Sequence, residues 1–206
     1  MSPYLLPALS GLVLLVAAAL LTGAAWERRR SRARETGLAW RDSRSGLYTR
    51  IVMLELLARQ LALAARLQHP LSILLVELDP PDGLALQHGS ADPAALRLAL
   101  AQRLSERVRG YDLLGHWGEL SFLIALTDSD VGAALVLAQD LRDGLMQSGL
   151  EIGGHQLAAS VSVCVHSRHP IRHQNSDELV HQMTAAVQRA LYATRADGPG
   201  RVVVEP

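Results

Sequence analysis

The sequence predicts an α/β (α+β) sandwich in which helices flank a mostly antiparallel central sheet. From residue 42 onward, stretches with helical spacing of apolar residues alternate with short apolar runs of strand length. Their order is α-β-α-β-β-α-β-α-β, in which two consecutive strands are joined directly and can form a hairpin. The length of 206 residues suits one such domain with a shorter appendage.

The first three elements are predicted from apolar spacing and from prolines. Ile51, Leu54 and Leu57 recur at helical intervals, and the helix that carries them ends before Pro70. A short, mostly apolar run, LSILLVEL, follows between Pro70 and Pro80, which is typical of a buried strand. The predicted elements are a helix over 47–68, a strand over 71–78 and a helix over 93–108.

The later elements begin with a hairpin and end with a helix and a strand. Asp128 and Ser129 are predicted to cap the helix that follows the hairpin. Polar and β-branched residues alternate around Ser162 and Cys164, which predicts a strand. The predicted elements are strands over 112–116 and 121–126, a helix over 129–146, a strand over 156–166, a helix over 177–195 and a strand over 201–204.

Charge is distributed unevenly along a chain whose net charge is zero. All 20 basic residues are arginines. Residues 26–50 hold eight of them against three acids, whereas residues 51–206 hold twelve against seventeen acids. The domain therefore lacks the basic surface that a nucleic acid requires, and no nucleic-acid partner is predicted. The single cysteine, Cys164, excludes an intramolecular disulfide.

Residues 1–26 are predicted to form one transmembrane helix. No charged side chain occurs between Tyr4 and Trp26, and about 20 apolar residues span the core of a bilayer. The arginine-rich stretch that follows, the juxtamembrane linker 27–41, is typical of the cytoplasmic side. A cleaved signal peptide is the alternative, but no basic residue precedes the apolar run. We therefore expect a single-pass membrane protein with the domain 42–206 in the cytoplasm.

Residues 109–122 carry two motifs at a fixed separation. Arg109 and Asp112 form an Arg-x-x-Asp pattern, and the hairpin turn downstream reads Gly118-Glu119-Leu120-Ser121-Phe122. This region resembles the signature hairpin of GGDEF domains, the diguanylate cyclase family, whose turn reads Gly-Gly-(Asp/Glu)-Glu-Phe. Further stretches that resemble the family begin at Asp42, Ser160 and Ala190, so the resemblance covers the whole domain.

The resemblance implies that the catalytic positions are degenerate. Cyclases of this family join two GTP molecules with two divalent metals, held by an acid on the first strand and an acid in the turn. Glu77 matches the first of these acids, and Asp79 is expected on the same side of the strand, but Leu120 and Ser121 replace the turn acids. The guanine- and phosphate-binding positions are also changed, to Asp82, Ala85, Ala94 and Pro199. We expect no catalysis, no cofactor and no metal, with a lone Mg²⁺ on Glu77 and Asp79 as the weaker alternative.

The same resemblance implies a receptor for cyclic di-GMP. In the family the Arg-x-x-Asp motif binds this nucleotide as a stacked dimer, through the guanidinium fork and the carboxylate. Arg109 and Asp112 are therefore predicted to bind cyclic di-GMP as a regulatory ligand, with Arg142 on the following helix as a third contact. The alternative is an ordinary surface ion pair between Arg109 and Asp112.

Three functions follow from these motifs. The favoured one is an inactive cyclic di-GMP receptor in the bacterial inner membrane that regulates a membrane-associated complex, such as exopolysaccharide, pilus or secretion machinery, and that the ligand can join into a homodimer. The alternatives are a scaffold that needs no ligand and a residual diguanylate cyclase. A metal site at His166, His169 and His173 is a further possibility, but their irregular spacing in a proline-containing stretch predicts a solvated loop instead.

Overall fold

The computed structural model describes residues 40–79 and 92–206. These residues contain seven strands and four α-helices. The strands are Leu71–Leu78 (β1), Leu113–His116 (β2), Ser121–Thr127 (β3), Leu150–Ile152 (β4), His155–Leu157 (β5), Val161–Arg168 (β6) and Val202–Glu205 (β7). The helices are Arg50–Leu67 (α1), Pro93–Ser105 (α2), Val131–Ser148 (α3) and Ser176–Thr194 (α4). Residues 40–206 form one compact unit.

Five strands form one sheet in the order β2-β3-β1-β6-β7, in which only β6 and β7 run parallel. Successive side chains of β1 point to opposite faces, because a strand has a period of two. Leu74 and Val76 pack with α2 and α3 on one face, while Ile73 and Leu75 pack with α1 and α4 on the other. The predicted α+β fold with a mostly antiparallel, helix-flanked sheet is confirmed.

The caps of the helices differ from the prediction at α3. Asp130, not Asp128 or Ser129, caps this helix: its carboxylate accepts a hydrogen bond from the N–H of Ala133 at 2.9 Å. Asp128 instead has a φ of 49°, in the left-handed region, where the chain turns out of β3. The cap prediction was therefore wrong by one residue or two, because several acidic and hydroxyl residues stand in a row.

The sequence analysis missed the small hairpin of β4 and β5. Gly153 and Gly154 join the two strands with φ values of 58° and 81°, which a two-residue hairpin turn requires. The predicted strand over 156–166 is in fact two strands, since β5 ends at Leu157 and β6 begins at Val161. The glycine pair was the available signal.

The segment Trp40–Thr49, called the leading segment below, lies along β2. The carbonyl of Tyr48 accepts a hydrogen bond from the N–H of His116 at 2.9 Å, and its N–H donates to the carbonyl of Leu114 at 3.4 Å. A Cβ at Gly115 would collide with Met53 and lie 2.8 Å from the carbonyl oxygen of Tyr48, so glycine permits this approach. These contacts explain why α1 begins at Arg50 and not at residue 47.

Two groups of predictions fall outside the described residues. They are the transmembrane helix 1–26 with nearly all of the linker 27–41, and the altered nucleotide-binding positions Asp82 and Ala85. Among the residues that are described, none of the helices is both long enough and apolar enough to cross a bilayer.

The histidines after Cys164 do not share one environment. His166 lies on β6, is buried, and its Nδ1 is 2.8 Å from the carbonyl oxygen of Glu205. The prediction of a solvated loop was therefore wrong for His166, whose side chain lies on β6 and is buried. His169 and His173 are exposed in the connection to α4, and no metal-ligating cluster occurs in residues 40–79 and 92–206.

The environment of His166 predicts a loss of stability in acid. Burial lowers the pKa of His166, and its Nε2 is buried without a hydrogen-bond partner among the described residues. The unfolded chain therefore binds a proton first, so the free energy of unfolding should decrease as the pH falls below about 6.5. Urea unfolding at a series of pH values measures this decrease, and His166→Gln should reduce it. A decrease of equal size in His166→Gln would contradict the assignment to this residue.

Candidate ligand-binding turn and candidate catalytic site

The Arg-x-x-Asp motif forms a turn at the start of β2. The N–H of Asp112 donates to the carbonyl of Arg109 at 3.0 Å, which closes a four-residue turn with these two residues at its ends. Helix α2 ends at Ser105, so the turn lies on the connection from α2 into the hairpin. The structure therefore places Arg109 and Asp112 together, as their spacing predicts.

The carboxylate of Asp112 is held by the neighbouring strand. Its Oδ1 accepts hydrogen bonds from the N–H of Thr127 at 3.0 Å and from the Thr127 hydroxyl at 3.3 Å, at the end of β3. Within the described residues its Oδ2 accepts no hydrogen bond, so one oxygen fixes the side chain and the other can still accept one.

The guanidinium group of Arg109 is exposed and lies beside an aromatic ring. Its Nη1 donates to the Tyr111 hydroxyl at 2.8 Å, and its Cζ lies 5.9 Å from the ring centre. No carboxylate in the described residues lies within 4.0 Å of it, so the alternative of an Arg109–Asp112 ion pair is not realised. Tyr111 is 61% exposed, and the sequence analysis overlooked it as a surface on which a base can stack.

Arg142 lies on a different flank of α3 from the one that meets the α2 connection. Asp140 pairs with Arg107 at 3.1 Å, whereas Arg142 pairs with its neighbour Asp143 at 2.7 Å. Two residues along a helix are about 200° apart around its axis, so Asp140 and Arg142 face different directions. The structure thus brings Arg109 and Asp112 together, while Arg142 is paired with Asp143 and its role as a third contact stays a prediction.

The hairpin turn is closed by backbone hydrogen bonds and by a serine. The N–H groups of Trp117 and Gly118 donate to the carbonyl of Ser121 at 2.9 and 3.1 Å. A Cβ at Gly118 would lie 2.5 Å from the Ser121 hydroxyl, so this side chain occupies the space beside the glycine. Trp117 is buried and packs in the core, with the guanidinium of Arg50 over its ring at 4.2 Å.

The remaining turn residues contribute no carboxylate at the two altered positions. Leu120 packs against the hydrophobic core, and its carbonyl accepts from the N–H of Leu78 at 3.0 Å. Phe122 is fully buried, whereas Glu119 is exposed. The surviving phenylalanine therefore belongs to the core, and the turn presents one acid to the solvent.

The two acids near the end of β1 already have protein partners. Glu77 accepts a short hydrogen bond from the guanidinium of Arg195. Asp79 accepts from the hydroxyls of Ser160 and Ser162 at 2.7 and 2.6 Å, and from the N–H of Gly200 at 2.8 Å.

This donor set does not fit the two divalent metals that the cyclase reaction requires. Such metals need several oxygen ligands each, and hard cations are bound mostly by carboxylates. Here one carboxylate is paired with an arginine, the other accepts three hydrogen bonds from protein groups, and Leu120 replaces the turn acid. The same pairing occupies the guanidinium of Arg195.

A second polar cluster joins the leading segment to β2, and the sequence analysis did not find it. The Ser45 hydroxyl donates to Oδ1 of Asp42 at 2.9 Å and lies 2.7 Å from Nε2 of His116. Burial lowers the pKa of His116, with Asp42 opposing and Arg97 reinforcing this shift. Burial would raise the pKa of Asp42, but hydrogen bonds from Ser45 and Arg44 bring it below its usual value.

This cluster does not have the order of a hydrolase triad. The hydroxyl proton of Ser45 is donated in a hydrogen bond to Asp42, so Nε2 of His116 donates to the serine oxygen. The imidazole therefore cannot act as a general base toward Ser45. The polar cluster attaches the leading segment to the hairpin. No local pattern in the sequence indicates this cluster, because Ser45 and His116 are 71 residues apart.

Comparisons with known proteins show the family of this chain. The model of the family described as "Diguanylate cyclase, GGDEF domain" matches residues 39–198. An uncharacterized protein of Mycobacterium tuberculosis is 33% identical over 167 residues, which cover 81% of this chain and 26% of that protein. The diguanylate cyclase DgcM of Escherichia coli K12 is 26% identical over 132 residues, 64% of this chain and 30% of that enzyme. The chain thus spans roughly a quarter to a third of these curated relatives.

Solved structures of similar fold include three GGDEF proteins. The GGDEF domain of DgcB from Caulobacter crescentus, in complex with c-di-GMP, has a TM-score of 0.69 at 17% identity and covers 81% of this chain and 96% of its own. The FimX GGDEF domain from Pseudomonas aeruginosa has a TM-score of 0.68 at 18% identity, over 81% and 99%. The diguanylate cyclase SiaD of the same organism, bound to its activator SiaC, has a TM-score of 0.68 at 20% identity, over 97% and 76%. With the family model matching more than half of its length, the chain belongs to the GGDEF domain family of diguanylate cyclases.

Proposed function

We propose that this protein is a catalytically inactive GGDEF receptor that binds cyclic di-GMP through Arg109 and Asp112 and regulates a membrane-associated partner. The observation that carries the proposal is the Arg-x-x-Asp turn: one oxygen of Asp112 is fixed by Thr127, while the guanidinium of Arg109 is exposed and faces no carboxylate within 4.0 Å in the described residues. The DgcB domain with the same fold is a complex with c-di-GMP, which supports this choice of ligand.

The chemistry of the turn suits a guanine nucleotide. A guanidinium fork can donate two hydrogen bonds to a phosphate or to O6 and N7 of guanine. The second oxygen of Asp112 can accept from the N1 and N2 donors of the same base. The exposed ring of Tyr111 offers a face for stacking, which is typically worth about 1–3 kcal/mol per base.

Calorimetry on residues 40–206, the compact unit that contains both cores, tests the binding site. We expect binding of cyclic di-GMP that Arg109→Ala weakens by roughly 10- to 150-fold, the equivalent of a charge-assisted hydrogen bond. Tyr111→Ala should weaken binding as well. Asp112→Asn keeps an oxygen for Thr127 and isolates the loss of the charge. Arg142→Ala tests the predicted third contact: because this arginine is paired with Asp143, on a different flank of α3 from Asp140, we expect the affinity to stay unchanged.

The second candidate function is a scaffold that needs no ligand. The observation that favours it is that Asp112 already has a structural role, since its Oδ1 accepts hydrogen bonds from Thr127. This role would keep the aspartate in the sequence even if no nucleotide bound. The same titration decides between the two: absence of heat from the wild-type domain at saturating cyclic di-GMP contradicts the receptor. An affinity unchanged in Arg109→Ala places the ligand elsewhere.

Absence of cyclase activity is the second expected result. With the acids Glu77 and Asp79 bound to protein groups and Leu120 in the turn, incubation with GTP and Mg²⁺ or Mn²⁺ should yield no cyclic di-GMP. Introducing only the turn acids, in Leu120→Asp/Ser121→Glu, should also yield none, because Asp79 keeps its three protein hydrogen bonds and Glu77 its pairing with Arg195. Product formation that disappears in Glu77→Ala would instead establish the residual-cyclase alternative.

We place the regulated partner at a membrane. The support is sequence-based: residues 4–26 carry no charge, and the arginine-rich stretch follows directly. The partner class, exopolysaccharide, pilus or secretion machinery, is a proposal by family resemblance. SiaD bound to its activator SiaC is a structural neighbour that forms a complex with another protein, and it supports a protein partner for this chain.

A further inference from the structure

Two large apolar side chains are exposed where the chain enters the domain. Trp40 is 62% exposed and Ile51 is 64% exposed. They lie near each other along the backbone, because the N–H of Thr49 donates to the carbonyl of Trp40 at 3.3 Å and Ile51 follows two residues later. Neither side chain belongs to the two hydrophobic clusters that flank the sheet.

The charged groups around these two residues are predominantly positive. Arg41 and Arg44 are exposed, and Arg50 begins α1. Asp42 is the only acid of the leading segment, and its Oδ1 accepts hydrogen bonds from the N–H groups of Arg44 and Ser45 and from the Ser45 hydroxyl. The rest of the domain has the opposite balance, twelve arginines against seventeen acids in residues 51–206.

We propose that this face, Trp40, Arg41, Arg44 and Ile51, lies on an anionic phospholipid surface. Arginines next to an anionic leaflet are attracted to it, and tryptophan prefers the boundary between headgroups and acyl chains. The acidic remainder of the domain is repelled from the same surface, so the charge distribution fixes the orientation. In the sequence before Trp40, the uncharged run is followed by five arginines against two acids in residues 27–39, and this stretch leads directly into Trp40. The inference rests on the proposed membrane attachment.

The experiment holds the domain at a bilayer and measures the depth of Trp40. Residues 40–206 with a histidine tag before Trp40 are tethered to vesicles through a nickel-chelating lipid, with or without phosphatidylglycerol. Trp117 is buried, so quenching by brominated lipid reports on Trp40. We expect quenching and a blue shift of the emission only with the anionic lipid, and their loss in high salt. Arg44→Glu and Ile51→Asp should each remove most of the effect.

The matched control is Ile171→Asp, because Ile171 is 69% exposed but follows β6 on another part of the domain. Its quenching should equal that of the wild type. Absence of quenching on anionic vesicles, or equal loss in Ile171→Asp, overturns the proposal. Dimerisation without lipid that Ile51→Asp abolishes also overturns it, since a second copy would then cover the face. Carbonate extraction of full-length protein from membranes tests the attachment separately, so failure of one proposal is distinguishable from failure of the other.

Discussion

Replacing Phe122 with Ala is expected to lower the free energy of unfolding by about 3–5 kcal/mol. Phe122 is fully buried on β3, the strand between β1 and β2, where it lies opposite Val76 and His116. Its ring centre is 5.0 Å from that of His116. Truncation would leave a cavity between the sheet and the helices α2 and α3. The surrounding side chains are closely packed and cannot fill this cavity without strain.

Denaturant unfolding of residues 40–206 measures this loss. Tyr111→Ala removes an aromatic ring of similar size from the surface, where 61% is exposed, and should change the free energy of unfolding by no more than about 0.5 kcal/mol. A loss below about 1 kcal/mol for Phe122→Ala would mean that the ring does not pack as described. The expected difference implies that the motif phenylalanine is retained for packing, independently of catalysis.

Asp79→Ala is expected to lower the free energy of unfolding by about 2–4 kcal/mol, because it leaves three donors without their acceptor. These donors are the hydroxyls of Ser160 and Ser162 and the N–H of Gly200. The last of them ties the connection before β7 to the end of β1. Removal of the carboxylate should therefore release this connection as well.

Glu77→Ala is the comparison that isolates this effect. Glu77 is two residues away and is also an acid with a protein partner, but that partner, Arg195, has a side chain that is 59% exposed. An exposed ion pair contributes about 0–1 kcal/mol, so this variant should unfold almost as the wild type does. Equal losses in the two variants would contradict the assignment of a structural role to Asp79 alone.

The sequence predicted the parts of the fold that depend on local pattern. The bounds of β1 are those of the apolar run between Pro70 and Pro80, and the hairpin turn was found because its motif is contiguous. Errors arose where neighbouring residues compete for one role, as at Asp128 and Asp130, or where packing overrides helical spacing, as at Tyr48. Tertiary contacts decided these cases.

The candidate sites were predicted less completely, for a physical reason. The spacing of Arg109 and Asp112 indicated the turn, since its closing hydrogen bond joins residues three apart. By contrast, the partners of Asp79 are about 80 and 120 residues away, and Thr127 is 15 residues from Asp112. No periodicity indicates such pairs, so the hydrogen bonds from the serine hydroxyls to Asp79 became visible only in the structure.

The contact between Asp112 and Thr127 has a consequence for how relatives of this protein diverge. Because that aspartate is hydrogen-bonded to the last residue of β3, its loss would destabilise a related domain even if the proposed ligand binding were absent there. Within residues 40–79 and 92–206, the one hydrogen bond of the Arg109 side chain is to an exposed tyrosine, so Arg109 has no comparable structural role there. In relatives that lose the proposed ligand binding, we therefore expect the arginine to be substituted before the aspartate. A related sequence that keeps the aspartate without the arginine would then indicate a binding site that has been lost.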